Sequence, residues 1–203
     1  LSWLRVTAIV DVAPVADGQP ATTSVTYHAP MMVLTLTLAT TAGVINLDPH
    51  VVLPAARDAE LIGVGRTELE LRLAEAAGRL GLRVTPEPNP EAGWYFRSDH
   101  FPFAKKGVPA IAFRAGRDLV DGGLAAGNAL VGDYNARHYH QTTDEFDARW
   151  SFAGTVQEAS VAYEVGRRLA DDAGWPGWNP GVEYGAVRAE SDAARAALPG
   201  KGQ

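Results

Sequence analysis

The sequence predicts an α/β domain, a three-layer αβα sandwich around a mixed, mostly parallel sheet. Short apolar runs of strand length, at 44–48, 61–65 and 108–113, alternate with segments of helical period at 67–80 and 152–172, the order that builds a sheet with helices on its faces. Most of these runs are closed by Gly, Pro or Asp, as elements separated by turns should be. With 203 residues and 46% hydrophobic content, the chain can bury one good core, so a single domain is expected.

Charge and composition narrow the chemistry. A formal net charge of -6 argues against a nucleic-acid partner, which would call for a basic stripe, and points to small molecules or peptides. Cysteine is absent, so any metal must be held by His and carboxylates. The longest apolar run, Met31 to Leu38, is interrupted by Thr35 and Thr37 and falls short of the ~20 residues that span a bilayer, so no membrane span is expected. The N-terminal residues show no secretion signal, and the chain reads as starting inside a longer natural sequence.

Taken in order, residues 1–43 are rich in Thr, Val and Ala, and Val33 to Leu38 alternates as a half-buried strand would. No Glu occurs before Glu60. Val44 to Asp48 reads as a buried strand ending in a carboxylate, with a turn Asp before Pro49 as the equal alternative. Leu61 to Gly65 reads as another strand. Thr67 and Glu70 have capping-box spacing, and Leu69, Leu73, Ala76, Ala77 and Leu80 form one apolar stripe that Gly81 ends. Leu82 to Thr85 is a predicted edge strand, followed by a stiff connector with Pro86, Pro88 and Pro90.

Ser98 or Asp99 is expected to cap a short helix through Lys106, with Gly107 ending it and Val108 to Phe113 forming a strand. Asp118 to Asn135 is glycine-rich and reads as a flexible loop. His138 to Asp147 then packs two imidazoles, a phenol and three carboxylates into ten residues. Such density suits either a site or a polar surface loop. Phe152 to Asp172 reads as a long helix with Val156, Ala159, Tyr163, Gly166, Leu169 and Ala170 on one face, and 181–203 as a poorly ordered tail.

Three segments in this order, Val44-Ile45-Asn46-Leu47-Asp48, Tyr95 to Phe103 with Gly107 to Ala110, and Tyr139-His140-Gln141-Thr142-Thr143-Asp144, resemble the di-zinc aminopeptidases, family twenty-eight of the metallopeptidases. The likeness runs over 43–174, the C-terminal part of such a catalytic domain, with 1–42 unmatched and 175–203 a tail. It implies a zinc-peptidase-like sandwich truncated on its N-terminal side, two Zn²⁺ ions as cofactors and a peptide as substrate. It assigns Asp48 and His140 as metal ligands, Tyr139 as the phenol that steadies the oxyanion, and Asp99 with His100 as a pair standing behind the ligands. Asp144 would support His140. His28, His50 and His138 are expected to be ordinary solvated or satisfied histidines. Full-length relatives are often exported.

The chain departs from that pattern upstream of Asp48, where it carries neither the His-x-Asp nor the Glu-Glu motif of working members. Each zinc would keep a single protein ligand, against the usual three, and no Glu would accept a proton from the attacking water. The sequence therefore predicts a poor enzyme: a truncated aminopeptidase, a peptide-binding or structural remnant of that fold, or a glutaminyl-cyclase-like transferase. A missing N-terminal segment or a second chain would supply what is absent.

Overall fold

The computed structural model describes residues 6–11, 41–48, 51–171 and 174–196. Among these, five strands form one sheet: β1 (Val6–Asp11), β2 (Thr41–Leu47), β3 (Asp58–Ile62), β4 (Arg83–Pro86) and β5 (Ala110–Ala115), in the order β1-β2-β5-β3-β4. Pairs β2–β5 and β3–β4 are parallel, and β1–β2 and β3–β5 antiparallel. The sheet is thus mixed, and β4 occupies an edge as expected.

Period-two alternation sends successive side chains to opposite faces. Ile45, Leu47, Ala59, Leu61, Ile111 and Phe113 pack on one face against helices α1 (Leu69–Arg79) and α4 (Ala153–Asp171). Val44, Ala110, Ala112 and Ile62 face the other way, against the 3-10 turn Trp94–Arg97, the short helix α2 (Phe101–Ala104) and the start of helix α5 (Tyr184–Ala196). The three-layer αβα sandwich is the architecture found. Leu69, Leu73, Val161, Val165 and Leu169 are all buried to 1% or less, each contributing about 1.5–3 kcal/mol of transfer free energy.

At the start of α1 the Thr67 hydroxyl accepts from the Leu69 amide at 3.2 Å while Glu70 accepts from the Thr67 amide at 3.0 Å, the reciprocal exchange that the spacing predicts. Gly81 ends this element at φ 74, where an L side chain would be strained. Leu80 leaves the expected stripe and is exposed, because it lies beyond the last helical turn.

Other expectations are corrected. Neither Ser98 nor Asp99 caps α2 with its side chain; His100 holds the N-cap position, and the Ser98 hydroxyl is engaged elsewhere. The expected face of α4 is rotated: Gly154, Glu158, Val161, Ala162, Val165 and Leu169 are buried, whereas Val156 and Tyr163 are exposed. A buried Glu and a small Gly hid the true face from a count of apolar residues. Within the segment read as a poorly ordered tail, Tyr184–Ala196 form α5, whose Arg188 is buried and whose backbone lies against Gly107. The Val33–Leu38 strand lies outside the described residues.

The glycine-rich loop is also corrected, for Gly123–Arg137 is a fifteen-residue helix, α3. Each glycine costs a helix about 1 kcal/mol relative to Ala. Close approach offsets that cost at Gly127, where an added Cβ would sit 2.0 Å from the Arg117 carbonyl oxygen, and Val131 packs with Leu53, Ala56 and Leu119. Gly132 has open space instead. The two positions should therefore respond with opposite signs: Gly132→Ala stabilises by about 0.5–1 kcal/mol, and Gly127→Ala destabilises by about 2 kcal/mol, read from urea denaturation midpoints. A loop at 118–135 would show neither effect.

Candidate functional site

The site is built at the C-terminal ends of the parallel pair β2 and β5, the side on which ligands collect in α/β sheets. Leu47 pairs with Phe113 as the last step of the parallel ladder, and Asp48 follows directly on the β2 side. The Ser98 hydroxyl donates to Asp48 Oδ2 at 2.7 Å and accepts from Asn46 Nδ2 at 2.8 Å. Asn46 is itself buried, so a polar chain from the sheet interior aims the carboxylate at the strand end.

Residues 99 and 100 part company. Asp99 is exposed, while His100 is fully buried with its ring 4.6 Å from that of Tyr95. Burial pulls the His100 pKa down to about 4; the Asp48 charge offsets part of that effect, and Arg66 adds to it. Neither ring nitrogen completes a hydrogen bond of good geometry. His100 is thus a neutral aromatic member of the wall behind Asp48.

The loop after α3 approaches the same region through Trp94. The Tyr139 ring meets Trp94 edge-on at 6.1 Å, and the Arg114 guanidinium lies 5.9 Å from the Trp94 ring centre. Tyr139 stacks on His140 at 3.9 Å. His140 is exposed and has φ 60, the only positive φ outside glycine among the described residues. Histidine tolerates this region better than most residues, and such conformations gather at functional loops. Asp144 accepts from the Tyr134 hydroxyl at 3.0 Å; burial first, and then that bond, raise the Tyr134 pKa. His138 bonds the Thr143 carbonyl through Nδ1 at 2.8 Å and so fastens the loop to itself. His28 and His50 lie outside the described residues.

Sequence reasoning missed the charged groups beneath this surface. Glu60, 3% exposed, accepts from Arg114 Nε at 2.7 Å and pairs with Arg117 Nε at 2.8 Å. Glu87 accepts from the Gly63 amide, and burial raises its pKa. On the other side of the sheet Glu158 accepts from the Ala115 amide at 3.3 Å; burial, offset by that amide and Arg114, with Asp48 adding to it, pushes the Glu158 pKa up to about 7. The available signal was charge inside short strands, Arg114 alone among the apolar residues of β5 and Glu60 two residues after Asp58 in β3.

The profile of peptidase family M28 matches residues 24–163. The chain belongs to peptidase family M28. No curated protein and no solved structure matches it. Family membership gives a peptidase-type function and agrees with the fold. No helix among the described residues is long and apolar enough to cross a membrane.

A catalytic zinc site of this chemistry calls for three protein donors. Among the described residues no three His, Asp or Glu side chains converge in a way that could hold a metal ion. Asp48 is engaged by Ser98, and His140 is an exposed ring stacked on Tyr139. The donor set of these residues does not by itself fit a zinc centre.

Two buried titrations of opposite sense accompany the site. Glu158 rises from 4.5 to about 7, so the native state holds a proton that the unfolded chain releases, and stability present below pH 4.5 is lost as pH rises toward 7. His100 falls from 6.5 to about 4, and its cost appears as pH falls through that interval. Glu158→Gln should therefore gain on the parent by on the order of 2 kcal/mol between pH 5 and pH 8 in denaturant unfolding. A constant difference across that range would show that Glu158 does not titrate there.

Proposed function

We propose that this chain is an aminopeptidase-type member of the M28 family that presents half of a metal site and needs further ligands for turnover. The reading is supported by one observation: the Ser98 hydroxyl holds Asp48 at the end of β2, and the sequence carries Tyr139 and His140 later in the same pattern but neither its His-x-Asp nor its Glu-Glu motif upstream. What these residues can do alone is bind and orient. The Asp48 carboxylate offers an acceptor for a cationic group such as a peptide's amino terminus. Tyr139, steadied by Trp94, offers a phenol that can donate to a peptide carbonyl. Zinc, in family relatives, supplies the Lewis acid and the activated water; here Asp48 and His140 would each contribute one ligand.

Aminoacyl reporter hydrolysis by the purified chain, with zinc supplied, should stay at the uncatalysed background. A short peptide with a free amino terminus should bind saturably and lose at least about tenfold in affinity in Asp48→Asn, since a lost hydrogen bond to a charged group is worth about 1.5–3 kcal/mol, and about two- to tenfold in Tyr139→Phe, where the bond lost is to a neutral carbonyl worth about 0.5–1.5 kcal/mol. Zinc-dependent turnover at ordinary peptidase rates would replace the half-site reading with a complete enzyme. Absence of any peptide binding would remove the orienting role.

A further inference from the structure

Nothing in the sequence sets His138 apart from a solvated histidine, but its imidazole joins the two ends of the segment that carries Tyr139 and His140. Its Nδ1 lies 2.8 Å from the Thr143 carbonyl oxygen. A carbonyl only accepts, so Nδ1 carries the hydrogen and donates. Between the two bonded residues stand Tyr139, His140, Gln141 and Thr142. Two more bonds close the same segment onto the end of α3. The Thr143 hydroxyl donates to the Arg137 carbonyl, and the Tyr134 hydroxyl donates to Asp144 Oδ2 at 3.0 Å. The Tyr134 ring also lies against both His138, stacked at 6.1 Å, and Tyr139, tilted at 6.3 Å.

Ending the helix does not require the imidazole. The Tyr134 carbonyl already accepts from the amides of His138 and Tyr139, at 2.8 and 2.9 Å. The backbone of the tip is turned by its own bonds, from the Gln141 amide to the His138 carbonyl and from the Asp144 amide to the Gln141 carbonyl. What the His138 side chain adds is a strut across the base of the tip.

The tip needs one. His140 holds φ 60, a conformation that a residue other than glycine keeps only when its surroundings fix it. Its ring is exposed yet stacked on Tyr139 at 3.9 Å. A single solvent-facing hydrogen bond restrains a loop weakly. Three bonds from side chains, with Tyr134 packed on two of the loop's rings, restrain it together.

We propose that His138 is a positioning residue: by donating Nδ1–H to the Thr143 carbonyl it sets the direction of the Tyr139 and His140 rings before any ligand arrives. Without the strut the competent arrangement would be only part of the population, and affinity would fall by that fraction. That these two rings meet a peptide rests on the half-site reading; that His138 sets their direction does not.

Proton NMR of the full chain, with and without peptide, tests the two parts separately. The stacked Tyr139 ring shifts the His140 ring protons upfield, and comparison with His140→Ala assigns them. His138→Asn places an amide N–H where Nδ1–H stood and should keep that shift. His138→Phe keeps a ring against Tyr134 but has no donor, and its His140 signals should move to the positions of histidine in an unfolded chain. A short peptide with a free amino terminus should bind His138→Asn as it binds the parent and lose about two- to tenfold in affinity in His138→Phe, the worth of one neutral hydrogen bond. An unchanged His140 shift in His138→Phe overturns the proposal, and so does its loss in both variants alike. Loss of the shift in His138→Phe alone, with no peptide bound by any variant, upholds the positioning role and removes the half-site reading. His138 is only partly buried, so both variants should keep the parent's thermal transition in circular dichroism. Should His138→Phe fail to fold, His138→Ala, which also lacks the donor, decides.

Discussion

The parallel pairing of β2 with β5 is the constraint on which the rest of the molecule depends. Its register delivers Ile45, Leu47, Ile111 and Phe113 to the α1/α4 core and Val44, Ala110 and Ala112 to the opposite layer. Beyond the last pair, Leu47 with Phe113, β2 stops and leads into Asp48 while β5 runs on through Arg114 to Ala115 in pairing with β3. A slip of one residue would exchange the faces of a strand and carry Asp48 away from the Asn46–Ser98 chain. Core and candidate site are therefore not separate achievements of the fold.

Below that site lies an unusual concentration of buried charge. Glu60 accepts from two arginines, and Glu158 sits across the sheet with Arg114 and Asp48 in its field. Buried ion pairs of this sort add little net stability, since desolvation consumes most of the attraction, but removing one member leaves the other stranded. Their effect is to fix side-chain directions around Arg114, and through Trp94 around Tyr139.

Much of the fold was legible because strand and helix periods differ and because the markers at Thr67, Glu70 and Gly81 act locally. Errors fell where tertiary contact overrode local preference. Glycines in α3 looked like loop residues, yet Gly127 permits a close approach to Arg117. The face of α4 was misjudged because Glu158 is buried while Val156 and Tyr163 are not. At the site, Asp48, Tyr139 and His140 were legible as a motif. Arg114, Glu60 and Glu158 were not, because a charge within a strand or on a helix acquires meaning only when the fold brings distant segments together.

The conformation of His140 has a consequence of its own. A side chain on the surface is ordinarily free to sample several directions, and a surface residue recruited to bind must give up that freedom. Here the left-handed backbone and the stacked Tyr139 ring restrict the imidazole without enclosing it. Direction and burial have become independent. A position of this kind holds its ring toward solvent in a set direction, so a group that meets it there need not first order the side chain.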